Sequence, residues 1–218
     1  MGKITALELQ KKNKNRISIF LNGKFALGVT AVAAHGLKIG QELSLSDIEQ
    51  IEQKEAAEQA RQAALRLLNY RPRSAAEIRR GLRKKGFTDD IIQPVIDRLT
   101  AVDLLNDEAF ARYWVDQRET FKPRSQFALR QELQQKGVSR DIIDAALETV
   151  DEETAARQAA QKKARQLSRL SEESFRAKLG GFLGRRGFHY GLIKQITEEM
   201  WQAVLEDREL EPDNGRHQ

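Results

Sequence analysis

Two stretches decide how this chain folds: PRSAAEIRRGLRKKGF (Pro72–Phe87) and PRSQFALRQELQQKGV (Pro123–Val138). Each runs proline, arginine, serine, then a basic helix-forming segment, then Lys-Gly. Proline disfavours α geometry in the residue before it, so Pro72 ends one helix. Ser74 caps the next, with Glu77 three residues on to complete a capping box. Gly86 stands where a helix C-terminus needs the left-handed conformation. Thr88 then caps a third helix, with Asp89 and Asp90 in its first turn facing the positive end of the dipole. Ser139 and Asp141 take the same parts in the second stretch.

Working outward, Gly86, Gly137 and Gly187 align three units at spacings of 51 and 50 residues. Apolar positions superpose across them: Ile78, Leu129 and Leu179, then Leu82, Leu133 and Leu183. After the glycines come Ile91-Ile92, Ile142-Ile143 and Leu192-Ile193, then Val95, Ala146 and Ile196. Spacings of three and four are those of core-facing helix stripes, so each unit is expected to be three helices that stack on their neighbours. The third unit lacks Pro-Arg-Ser and carries Gly180-Gly181, which predicts a broken or tightly packed middle helix.

The first forty-five residues read differently. ITALELQ, RISIFL and KFALGV alternate apolar and polar residues as half-buried strands do, and LKIGQELS can add another. Asn22-Gly23 is a two-residue hairpin signal, and Lys11, Lys12, Lys14 and Arg16 crowd the first turn. Ser46-Asp-Ile-Glu49 reads as a capping box opening a long helix whose polar first half suits an exposed connector. The expected fold is mainly α: tandem three-helix repeats in an elongated curved stack, preceded by a small N-terminal β module. Its parts are a β module (1–45), a connecting helix (46–63), repeats at 64–105, 106–150 and 151–205, and a disordered tail (206–218).

Composition narrows the function. The chain has no cysteine, which removes disulfides and thiolate metal sites. No run approaches a membrane span, and MGKITALELQ has no signal-peptide core, so a cytoplasmic protein is expected. His35, His189 and His217 are scattered, and no phosphate-loop or dinucleotide-binding pattern occurs. Neither an enzyme nor a cofactor or metal is expected. Nothing resembles a dimer stripe, so a monomer is expected. The net charge is +5, concentrated in two places. Residues 64–105 carry nine Lys/Arg against five Asp/Glu, and residues 157–186 carry nine against two. Such patches attract polyanions or acidic protein surfaces.

The candidate binding residues are therefore basic. Beside the Ile78–Leu82 stripe, Arg79 and Arg83 form one row at i,i+4 and Arg80 and Lys84 another. Arg71 and Arg73 flank Pro72, and Lys122 and Arg124 fall at their equivalents. Arg130 follows in the second unit, with Lys136 at its helix end, and Arg176, Lys178, Arg185 and Arg186 in the third. In NDEAFARYWVDQRE (Asn106–Glu119), Phe110, Tyr113, Trp114 and Val115 supply the core face, leaving Arg112 and Arg118 for solvent.

Leu-Leu-Asn-Tyr-Arg-Pro-Arg-Ser with Glu77-Ile78-Arg79, Lys85-Gly86-Phe87, Leu105-Asn106-Asp107, Phe110-Ala111 and Arg118 resembles the RecX family of bacterial regulatory proteins. Leu129-Arg130-Gln131-Glu132-Leu133 with Lys136-Gly137-Val138 resembles that family's second signature. The resemblance covers residues 60–150 and extends weakly to 200, and the β module looks like an extension of some members only. It implies tandem three-helix units that lodge in the groove of the RecA filament on single-stranded DNA, inhibiting ATP hydrolysis and strand exchange without catalytic residues of their own. The alternatives are a nucleic-acid-binding module that acts without RecA and a scaffold for acidic proteins.

Overall fold

The computed structural model describes residues 2–11 and 13–210, in two compact units, Met1–Asn106 and Asp107–Gln218. Lys12, His217 and the expected tail beyond residue 210 lie outside the described residues.

In the first unit, β1 (Gly2–Gln10), β2 (Asn13–Leu21), β3 (Lys24–Thr30) and β4 (Glu42–Leu43) form an antiparallel sheet in the order β3-β2-β1-β4. The hairpin turn is at Asn22-Gly23, both with positive φ. The sheet's inner face buries Ile4, Ile19, Val29 and Leu43 against Ile51 of α1 (Leu45–Tyr70). This helix begins two residues before the expected position. Ser44 is its N-cap, accepting from the Asp47 amide at 3.1 Å while its own amide donates to the Asp47 carboxylate at 2.8 Å. Ser46 and Glu49 therefore fall inside the first turns.

Nor is α1 an exposed connector. Ile51, Glu55, Glu58 and Ala60 are all buried. Glu55 is 7% exposed and fastens helix to sheet, accepting from Arg16 at 2.9 Å, from the Thr30 amide, and from Gln59 at 2.7 Å. Burial raises its carboxyl, but these hydrogen bonds and the Arg16 charge outweigh that and hold it below the ordinary value. The polar composition that suggested a solvated helix instead supplies a partnered acid where α1 packs on the sheet.

The end of α1 packs with α2 (Ala75–Arg83) and α3 (Asp89–Ala101) as the first three-helix repeat. In the second unit, α4 (Asp107–Phe121), α5 (Gln126–Gln135) and α6 (Arg140–Leu147) form the second repeat. The third consists of α7 (Glu152–Leu167), α8 (Glu172–Gly184) and α9 (Tyr190–Leu210). The six aligned residues Ile78, Leu82, Leu129, Leu133, Leu179 and Leu183 are all fully buried. Each such burial stabilises by about 1.5–3 kcal/mol. Ser74 and Ser125 cap α2 and α5, accepting from the third amide of each helix at 3.1 Å.

Gly86, Gly137 and Gly187 all have positive φ. The residue after each donates back to the leucine of the preceding helix: Phe87 to Leu82, Val138 to Leu133, Phe188 to Leu183. That is the Schellman closure, and the donor residue's side chain folds onto the core.

Other expectations are corrected. Thr88 and Ser139 occupy cap positions without a side-chain cap bond. Of the two outcomes expected at Gly180-Gly181 the break does not occur: α8 runs through unbroken, with no positive φ at either glycine, and a Cβ at Gly180 would stand 3.5 Å from Ile193 of α9. Residues 206–210, expected in the tail, continue α9. Tyr113, expected on the core face, is 36% exposed and stands outside the buried cluster of this repeat. His189 accepts from the Leu192 amide at 3.2 Å and so helps start α9.

Candidate functional site

The structure divides the expected basic residues into cations already answered by the fold and cations left open. In the first repeat, Arg71 forms a two-pronged pair with Glu77 at 2.8 and 3.0 Å and also donates to the Pro72 carbonyl. Arg73 donates through Nε to the Leu67 carbonyl at 3.0 Å, satisfying an orphan acceptor near the end of α1. Arg83 grips Asp89 at 2.6 and 2.8 Å, and hydrogen bonding from Arg83 holds the Asp89 carboxyl below its ordinary value. Arg79 bonds Gln93. The Arg79–Arg83 row thus ties α2 to α3. Arg80 is exposed but also takes part in an interaction. Lys84 and Lys85 project into solvent.

In the second unit Arg130 pairs with Asp144, the aligned counterpart of the Arg79–Gln93 bond. Arg124 pairs with Glu132 at 3.1 Å. Glu132 also accepts from Trp114 Nε1 at 2.7 Å and from Arg118 at 2.8 Å. Arg118, expected in solvent, lies over the Trp114 ring at 4.6 Å, and Lys136 at 3.8 Å. Arg176 pairs with Glu172 and Glu198 at 2.7 and 2.5 Å. Arg186 donates to the Pro123 carbonyl at 2.7 Å and lies 4.5 Å from the Phe182 ring. Burial, then the charge of Arg124, lowers its pKa. It is a staple between the second and third repeats.

The Lys-Gly and Arg-Gly pairs therefore recur for packing as well as charge. Lys136 and Arg186 fold back over aromatic rings, a contact that also places a cation beside a helix C-terminus. Four of the expected candidates remain exposed, with no ion pair or side-chain hydrogen bond among the described residues: Lys84, Lys122, Lys178 and Arg185. Lys84 and Arg185 stand at the same position of the first and third repeats, two residues before the glycine. Sequence reasoning missed the exposed aromatics Tyr70, Phe121, Phe127 and Tyr190. The signal was available for two of them, because Tyr70 and Phe121 are 51 residues apart and each precedes a cation and proline.

Comparison with known proteins gives four matches in chain order. Residues 2–44 match the regulatory protein RecX N-terminal domain. Residues 60–99, 106–147 and 151–197 match the first, second and third RecX three-helix domains. The chain belongs to the RecX family. A relative from Clostridium botulinum (strain Eklund 17B / Type B), named Regulatory protein RecX, is 31% identical over 95% of this chain and 100% of its own length. The Bacillus subtilis (strain 168) protein of the same name is 32% identical over 95% of this chain and 81% of its own. A crystal structure of regulatory protein RecX superposes with a TM-score of 0.72 at 26% identity, covering 91% of this chain and 100% of that one. RecX from Lactobacillus salivarius gives 0.57 at 26%, over 66% of this chain and 96% of its own. The β module, expected as an extension of some members, has a family match of its own, and so does the divergent third repeat.

Among the described residues no helix is long and apolar enough to cross a membrane, and no group of His, Asp and Glu is arranged to hold a metal ion.

Proposed function

We propose that this RecX-family protein binds the RecA–single-stranded DNA filament and inhibits its ATPase and strand-exchange activities, acting as a monomer in the cytoplasm. The observation that carries the reading is the full-length family match together with cations the fold leaves unspent. Lys84, Lys122, Lys178 and Arg185 can offer their charge to a polyanion without breaking an ion pair or side-chain hydrogen bond of the fold, and their exposure leaves them accessible to it. Arg79, Arg83 and Arg130 are tied to neighbouring helices and serve the repeat first.

The test is RecA's DNA-dependent ATPase and strand exchange with this protein titrated in. Inhibition near filament stoichiometry is expected, and K84E/K122E/K178E/R185E should lose it while keeping the wild-type melting curve. Absence of inhibition by the wild type overturns the reading. The open cations also favour a second reading, direct nucleic-acid binding without RecA. Tight, steeply salt-dependent binding to naked DNA with no effect on RecA selects that version.

A further inference from the structure

Tyr70 is the last residue of α1 and Phe121 the last of α4, the helices that open the first and second repeats. Tyr70 is 85% exposed and Phe121 71% exposed. A single exposed ring needs no explanation. These two occupy one aligned position in repeats that differ at most surface sites. Each is followed by a cation, a proline and an arginine: Tyr70-Arg71-Pro72-Arg73 and Phe121-Lys122-Pro123-Arg124. The fold uses the proline and the second arginine of each set, and Arg71 as well, but it packs neither ring. In the third repeat the corresponding helix ends at Leu167, which is buried, and no aromatic follows.

The surroundings decide what such a ring fits. A protein-binding hot spot sets an aromatic in an apolar patch ringed by polar groups. The chain around these rings is charged or polar instead: Asn69, Arg71 and Arg73 beside one, Glu119, Thr120, Lys122 and Arg124 beside the other. A flat π surface next to cations matches an unpaired base carrying a phosphate. In a duplex the base faces are hidden by stacking, so the preferred partner is a single strand. Proline two residues beyond each ring fixes its own φ and stiffens the joint that carries it.

We propose that Tyr70 and Phe121 are base-stacking platforms for single-stranded nucleic acid, one in each of the first two repeats. Lys122, the exposed cation next to Phe121, would meet the phosphate there. The assignment deepens the filament reading and rests on it for its setting: it gives this chain its own DNA contact.

The experiment measures binding of the full chain to a fluorescent oligothymidylate and to a duplex of equal length. Tyr70→Ala and Phe121→Ala should each weaken oligothymidylate binding by about 5- to 100-fold. Tyr70→Phe and Phe121→Tyr keep a ring and should bind as the wild type does. Duplex binding and the salt slope should stay unchanged, because no charge is removed. Both alanine variants should melt with the wild type, since neither ring is packed. Wild-type failure to bind oligothymidylate overturns the proposal. So do alanine variants that bind normally, or ring-preserving variants that fall as far as alanine. RecA ATPase inhibition by the same proteins separates the two readings. A wild type that inhibits without binding the oligonucleotide sinks stacking alone, and one that binds without inhibiting sinks the filament reading alone. Alanine variants that lose inhibition yet bind oligothymidylate normally make the rings a protein contact and overturn the proposal.

Discussion

The two Pro-Arg-Ser joints share a sequence and are secured by different chemistry. At the first, Arg71 closes locally on Glu77 of α2, and Arg73 donates to a carbonyl of α1. At the second, Lys122 is open, Arg124 reaches Glu132, and the Pro123 carbonyl and the Ser125 amide are taken by Arg186 of the third repeat. The first joint is self-contained. The second is half of an interface between repeats, so equal motifs carry unequal structural duties.

Glycine substitution should break that symmetry most strongly. Gly86 and Gly187 both have φ near +90°, which costs an L-residue about 1–2 kcal/mol. A Cβ at Gly86 would meet nothing within 4 Å, whereas at Gly187 it would fall 2.5 Å from Ser125 Oγ and 2.9 Å from Ala128 Cβ. Gly86→Ala should therefore cost only the backbone term, and Gly187→Ala about 2–5 kcal/mol once the overlap is added. Urea unfolding of the two variants checks this. Equal losses would mean the third repeat does not lean on the Ser125 cap.

Much of this was legible in the sequence, for an identifiable reason. Proline, serine and glycine act on their own backbone and near neighbours, so the repeat grammar and the buried Ile78–Leu82 stripe could be read from one segment at a time. Gly187's crowding could not, because Ser125 is 62 residues away. The Arg79–Arg83 row failed as a binding surface for the same reason. Arg79 and Arg83 look like a free face on an isolated helix, and only the packing of α3 brings Gln93 and Asp89 to them. The open cations are mostly lysines, while the fold spends arginines, whose planar fork suits carboxylates and carbonyls.

Glu132 and Glu77 give the next contrast. Glu132→Gln weakens three donors together, from Trp114, Arg118 and Arg124, and should cost about 2 kcal/mol. Glu77→Gln weakens the pair with the partly exposed Arg71, and that pair's share of the loss should be about 0.5–1 kcal/mol. Denaturation of both variants, with near-ultraviolet circular dichroism on Trp114, distinguishes them. An unchanged tryptophan signal in Glu132→Gln would show that its indole is held by packing alone.

The smallest effect is the sharpest for function. Lys122 and Arg124 both flank Pro123, and sequence reasoning weighted them alike. Lys122 has no ion partner among the described residues, so Lys122→Gln should leave stability within about 0.5 kcal/mol of wild type. Arg124→Gln removes the pair with Glu132 but also lifts the repulsion that Arg124 exerts on the desolvated Arg186. The two changes oppose, and Arg124 is itself about a third exposed, so the net loss should stay below about 1 kcal/mol. Binding should rank the pair the other way. Removing an open lysine lowers the salt slope of DNA binding by about one unit, whereas a charge already answered by Glu132 releases fewer counterions. Salt titrations of oligothymidylate binding, read beside melting curves, therefore separate the residue that serves a partner from the one that serves the joint. Equal slopes for the two variants would return Arg124 to the binding surface and leave the Glu132 pair too weak to withhold it.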